Sequence, residues 1–244
     1  MRLNCVLIAG GKWHDIDFAR LELLKLLGED ENVRVRVFED YANLAAIRSA
    51  DFLVTYTCDV TPSLEQQEVL RDYIKEGGRW LALHGTNSIL RFLDDGRIDT
   101  PRWAPLFMDT LGSMFQAHPP ICSFTVSPTG LQHPMVDGIE PFNVVDELYL
   151  AEVCAPIEVL LDTEFEGAAG RFVHNQWDKQ RHPVLYQRRL EQGTVMYLTL
   201  GHCRGHHDLQ PMIDYYPHVE RCAWEQPIYY ELLRRGIAWA KGRS

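Results

Sequence analysis

Few folds are open to this chain, because strand-length apolar runs alternate with helix-patterned segments through its first hundred residues. Residues 3–9 form the first such run, and a short continuous apolar stretch bounded by glycine reads as a buried strand. Residues 16–27 carry Phe18, Leu21, Leu24, Leu26 and Leu27 and stop at Gly28, the pattern of a helix. Residues 33–38 alternate at period two, which marks a strand with a solvated side, near a sheet edge. Residues 51–57 supply a third strand. Thr61-Pro62-Ser63 then opens a helix, with Pro in its first turn and Ser63 set three residues before Gln66 as a capping box. Val69, Leu70, Tyr73 and Ile74 give that helix its buried face, and Gly77-Gly78 stops it. Repeated βα units of this kind predict an α/β fold with a doubly wound, mainly parallel sheet of the flavodoxin-like type.

The next strand delivers the most informative residue. In Glu76-Gly77-Gly78-Arg79-Trp80-Leu81-Ala82-Leu83-His84-Gly85-Thr86, an apolar run ends at His84, and Gly85 lets the backbone turn sharply. The shape is that of a nucleophile elbow, which holds one side chain above the carboxyl edge of a sheet. Here that side chain is neither Ser nor Cys. A histidine so placed is as often a core residue with satisfied ring nitrogens, so its company matters. Gly10-Gly11-Lys12-Trp13-His14-Asp15 follows the first strand and belongs at the same sheet edge. Phe115-Gln116-Ala117-His118, Asp146-Glu147-Leu148-Tyr149 and Leu200-Gly201-His202 bring further ionisable groups.

The second half is less regular. Strands are expected at 121–126, 144–151, 157–161, 183–186 and 194–200, with a last helix over 227–241. Between Gly201 and Pro227 lies a polar and aromatic stretch with His206, His207, Tyr215, Tyr216, His218 and Trp224. A connection that long inside a compact domain is usually a functional loop or lid.

A length of 244 residues with 46% hydrophobic content supports one core, so residues 1–244 read as a single domain. The net charge of −10 argues against nucleic acid, which needs a basic face. The N-terminal apolar run is too short for a signal peptide or membrane span; a cytoplasmic protein without a membrane partner is expected, and a homodimer is the commonest assembly. The six cysteines lack C-x-x-C spacing and read as reduced structural thiols.

Taken in order, Gly10-Gly11, His14-Asp15, Phe38-Glu39-Asp40, Gly77-Gly78, Leu83-His84-Gly85, Phe115, His118-Pro119, His133-Pro134, Gly138-Ile139, Asp146-Glu147-Leu148-Tyr149, Leu200-Gly201-His202 and Gly236-Ile237-Ala238-Trp239-Ala240 make a pattern. With them the chain resembles, over nearly its whole length, the ThuA-like family, trehalose-utilisation proteins on the class I glutamine amidotransferase-like fold. The resemblance implies a role in disaccharide catabolism, around trehalose and its keto derivatives, with the reaction itself undefined. It also carries a negative. Amidotransferases place a cysteine at the elbow, this chain has His84 there, and glutaminase chemistry needs the thiolate.

The residues themselves leave two chemistries open. His14, His118 and His202, with Glu147, form a mixed nitrogen and oxygen set that zinc or another transition ion accepts. Alternatively His84 carries protons in metal-free acid–base catalysis, oriented by Asp15 or Glu147. Asp15 serves equally well as a helix cap, Asp146 as a solvated strand end, and His206, His207 and His218 as surface residues. Trp13, Phe115, Tyr149 and Trp224 offer aromatic faces for a carbohydrate, although any one of them taken singly fits a core or an oligomer contact better. No nucleotide cofactor is expected. The leading expectation is an enzyme acting on a small sugar by hydrolysis, elimination or isomerisation. Its rival is a non-catalytic sugar-binding or regulatory protein; an esterase or amidase is a third reading that the elbow disfavours.

Overall fold

A computed structural model describes residues 2–242. β1 (Leu3–Gly11), α1 (Ile16–Leu27), β2 (Val33–Phe38), α2 (Leu44–Arg48), β3 (Phe52–Cys58), α3 (Leu64–Lys75) and β4 (Arg79–Leu83) alternate as the apolar pattern requires. The capping box forms: the Ser63 hydroxyl accepts from the Gln66 amide, and the Gln66 side chain accepts from the Ser63 amide. Beyond β4 come β5 (Arg91–Phe92), β6 (Ile98–Asp99), α4 (Pro105–Leu111), β7 (Ser113–Ala117), β8 (Cys122–Pro128), β9 (Phe142–Asp146), β10 (Leu150–Val153), β11 (Glu158–Ala168), β12 (Gln176–Leu190), β13 (Gly193–Leu198) and α5 (Pro227–Ala240).

The main sheet has nine strands in the order β2-β1-β3-β4-β13-β12-β11-β8-β9. From β2 to β13 every pairing is parallel; from β13 to β9 every pairing is antiparallel. The expected mainly parallel sheet is therefore a mixed one. Its parallel half carries continuous apolar strands, with β3 buried at every residue, because helices cover both faces. α1 and α5 pack on one core, while α2, α3 and α4 pack on the other. β2, whose sequence alternates, lies at the sheet edge.

Two expectations fail locally. The apolar stretch 144–151 is two strands, not one: β9 ends at Asp146 and β10, paired with β7 in a separate two-stranded sheet, begins at Leu150. The break between them carries Glu147. The strand expected at 183–186 is the centre of a 15-residue strand, β12, which pairs with β11 from Gln176 through Gln187. All six cysteines are free thiols, and among the described residues no helix is long and apolar enough to cross a membrane.

Candidate active site

The parallel strands end at one sheet edge, and their turns deliver the ionisable groups. Trp13 and His84 both have positive φ, 71° and 44°, a conformation that non-glycine residues adopt only where surroundings enforce it. The His84 elbow is thus strained in the manner of a nucleophile turn, although it carries an imidazole. Beyond β13, Gly201 sits at φ 124°, where a Cβ would lie 2.2 Å from the Tyr229 hydroxyl; only glycine lets His202 follow. Asp146 fixes this turn. Fully buried, its carboxylate accepts from the Gly201 amide at 2.9 Å, the His202 amide at 3.1 Å and the Ala223 amide at 3.3 Å. It is no solvated strand end.

Four histidines surround Glu147, and each has one nitrogen committed outward. Nδ1 of His84 lies 2.8 Å from the Thr199 carbonyl, Nδ1 of His14 3.3 Å from the Lys12 carbonyl, and Nδ1 of His118 2.7 Å from the Pro119 carbonyl. Nε2 of His202 lies 2.8 Å from the Glu220 carboxylate. Carbonyl and carboxylate oxygens only accept, so the proton sits on each of these nitrogens and the other nitrogen presents a lone pair. Those lone pairs point inward. Nε2 of His14 is 2.9 Å from Nε2 of His84, and these lie 3.8 and 3.6 Å from Glu147 Oε2. Nδ1 of His202 is 3.1 Å from Glu147 Oε1 and has no hydrogen-bond partner. His118 Nε2 stands 3.5 Å from the same oxygen.

Apart from the Tyr149 hydroxyl, 3.3 Å from His84 Nε2, the inward groups form a buried set of acceptors facing one another, which is unfavourable without a cation between them. The donor atoms of His14, His84, Glu147 and His202 all lie within 4.8 Å of one another. Around a tetrahedral ion with bonds of roughly 2.0–2.1 Å, neighbouring donors stand about 3.4 Å apart, and the spacings above straddle that value. The outward N–H bonds to carbonyl and carboxylate groups are those that orient metal-ligating imidazoles. Residues and geometry therefore fit a divalent ion of the zinc or transition type. Without one, the cluster gains positive charge differently. Burial opposes protonation of His202, but Glu147 and Glu220 outweigh it and lift the imidazole to about 9. Burial alone would raise Glu147, yet His118, His202 and His14 hold it well below its usual range. His14 is pushed down to about 3, chiefly by burial, and His118 is lowered for the same reason.

Above the cluster opens a cavity of about 460 Å³, within the size range of small-molecule sites. His14, His118 and Glu147 form its polar floor, and Trp13, Phe115 and Tyr149 belong to its walls. Trp13 Nε1 is a buried donor with no partner.

Two expectations give way, and one open alternative closes. His84 is wholly buried behind His14 and is absent from the cavity wall, because the elbow turns its ring inward to Thr199. Asp15 caps α1, accepting from the Phe18 amide at 3.1 Å, and pairs with Arg221 at 2.9 Å; orienting His84 falls to the Thr199 carbonyl. Trp224 lies beneath the site, donating to the Gly201 carbonyl and packed on Tyr229, so it supports the turn rather than facing a ligand. Two cavity residues that touch the cluster escaped the sequence reading. Arg204 reaches Glu147 Oε1 at 3.7 Å and Glu220 Oε2 at 2.7 Å, and Glu220 has no motif to announce it beyond its place in the loop after His202.

Fold and site together define an α/β protein with a buried histidine–glutamate centre beneath an aromatic-walled cavity. The chain belongs to the ThuA, trehalose utilisation, family, whose model matches residues 5–212. A ThuA-like protein from Bacteroides uniformis ATCC 8492 has TM-score 0.67 at 15% identity, covering 98% of this chain and 91% of that one. A ThuA-like protein from Parabacteroides merdae ATCC 43184 gives 0.63 at 15% identity over 99% and 90%. A cytoplasmic protein from Salmonella typhimurium LT2 gives 0.55 at 14% identity over 99% and 98%. At these identities the likeness is one of fold. No curated protein matches the sequence.

Proposed function

We propose that the protein is a divalent-cation-dependent enzyme of sugar catabolism, acting on a disaccharide or its keto derivative by proton transfer beside a carbonyl, as in an elimination or isomerisation. The observation that carries this reading is the convergence of imidazole lone pairs and one carboxylate at and just beneath the floor of an aromatic-walled cavity. His14, His84, His202 and Glu147 would hold the ion. When bound, such an ion polarises a substrate oxygen and lowers the pKa of an adjacent proton.

The chain's own residues supply the rest. His118 faces the cavity, and burial keeps it neutral near pH 7, so its Nε2 lone pair serves as general base at a substrate C–H. Tyr149 also faces the cavity, and burial holds its hydroxyl protonated, so it donates to the oxygen that gains charge. Trp13 and Phe115 offer flat apolar surfaces to the C–H faces of a sugar, and the free Trp13 N–H meets a hydroxyl. No nucleotide cofactor or covalent nucleophile enters this scheme.

Enclosure of His84 and His202 away from the cavity favours one alternative, a sugar-binding protein whose ion is structural. Tag-free protein, stripped of metal and reloaded with Zn²⁺ or Mn²⁺, separates the two when offered trehalose and its keto derivatives. Ion-dependent turnover supports the enzyme. Thermal stabilisation by sugar without turnover supports the binding protein, and a flat response in both assays removes the carbohydrate reading.

A further inference from the structure

Residues 205–219 of the loop between β13 and α5 are closed off by Arg204 and Glu220, the two residues that also reach the histidine cluster. Arg204 and Glu220 close its neck through paired backbone hydrogen bonds of 2.9 and 2.8 Å. Inside the neck a second clasp forms, with the Tyr216 amide donating to the His206 carbonyl at 2.7 Å and the His206 ring donating to the Tyr216 carbonyl at 2.6 Å. Leu209, Met212 and Tyr216 carry the loop across the cavity. Its outer surface is unusually apolar, with Met212 52%, Ile213 44%, Tyr215 57% and Val219 49% exposed. Beyond the clasp, residues 207–215 make their backbone and side-chain hydrogen bonds within the loop.

One carboxylate joins loop to cluster. Glu220 Oε2 accepts from His202 Nε2 at 2.8 Å and from Arg204 Nη1 at 2.7 Å, while Oε1 accepts from the Tyr216 hydroxyl at 2.8 Å. Arg204 extends the connection to Glu147 Oε1 at 3.7 Å and to the Trp13 carbonyl at 3.2 Å. Every route from the loop's polar groups into the site passes through Glu220 or Arg204. An outward N–H bond to a carboxylate fixes an imidazole's tautomer and raises its basicity at the inward nitrogen.

We propose that Glu220 is a positioning residue that orients His202 for the cation and ties the 205–219 loop to it, so that filling the cluster and seating the loop over the cavity are one equilibrium. The inference rests on the cation reading of the cluster. It requires reciprocity: whatever loosens the loop at Glu220 weakens the ion, and the ion holds the loop.

Metal-stripped full-length protein is titrated with Zn²⁺ by calorimetry, and the loop is probed by chymotrypsin at the exposed Tyr215. In the wild type, saturating Zn²⁺ slows loop cleavage about 10-fold. Glu220→Gln keeps an acceptor for His202 but removes the charge; it should weaken Zn²⁺ binding by roughly 10–100-fold and leave the loop cleavable even at saturation. Tyr216→Phe cuts the loop's own link to Glu220, so by the same reciprocity it should lose much of the protection and weaken Zn²⁺ binding, though less than Glu220→Gln does, which keeps the proposal testable if Glu220→Gln does not fold. Unchanged affinity in Glu220→Gln, or loop cleavage in the wild type indifferent to Zn²⁺, overturns the proposal while leaving the ion site standing. Failure of the wild type to bind Zn²⁺ removes both.

Discussion

In the proposed scheme, histidines 84 and 118 exchange the roles that their sequence positions assign. His84 stands at the elbow, where a nucleophile would stand, yet it is wholly buried with Nδ1 fixed by the Thr199 carbonyl. His118 follows a short strand and precedes Pro119 rather than a glycine elbow, yet it faces the cavity. Substituting each by Asn separates these roles. His118→Asn should retain the ion and the melting temperature, while turnover falls by roughly 100-fold or more, the usual worth of a general base. His84→Asn should instead bind the ion more weakly, because the shorter side chain withdraws one donor from the cluster. Ion content and turnover measured on the same preparations check both; a His118 variant with undiminished turnover would return proton transfer to another residue.

At the scale of elements, the β11–β12 hairpin holds a buried group with nothing to satisfy it. His182 is 2% exposed, its Nε2 lacks a hydrogen-bond partner, and it packs between Phe165 and Trp177. Burial lowers it to about 4, so the unfolded chain, titrating near 6.5, binds more protons between those values. Stability is therefore lost as pH falls from 6.5 toward 4. His182→Leu should flatten this part of the urea-unfolding profile by about 1–3 kcal/mol at pH 4 while changing little at pH 8. An unaltered acid slope would mean that other groups govern it. The same hairpin shows what the sequence conceals. Asp178, Lys179, Gln180 and Arg181 make the outer half of β12 polar on both faces, so hydrophobic periodicity found only the apolar centre. The five-residue α2 is too short to show a period at all. By contrast, β1, β3 and β4 announce themselves, because a strand buried between two helical layers must be apolar throughout.

Across the whole molecule, the convergence at the candidate site was legible wherever a residue followed an apolar strand at a glycine turn, as with His14, His84 and His202. It was illegible where a side chain reaches the cluster from an irregular loop, as Arg204 and Glu220 do, and where depth matters, as with Trp224 and Asp15. Sequence places a residue at an edge; packing decides which way it faces. On the proposed function, these separated residues make one cation site. A protein that binds a cation only in its folded state gains stability by mass action and releases the proton that the cation displaces. In the ion-free cluster that proton sits on His202, held up to about 9, so affinity should strengthen about tenfold per pH unit as pH rises toward 9. The direct test is elemental analysis of tag-free protein after equilibrium dialysis against Zn²⁺ at pH 6 and pH 8. The predicted result is about one ion per chain at pH 8, held more weakly at pH 6 and lost in Glu147→Gln; binding absent at both pH values, or undiminished in that variant, would contradict the account.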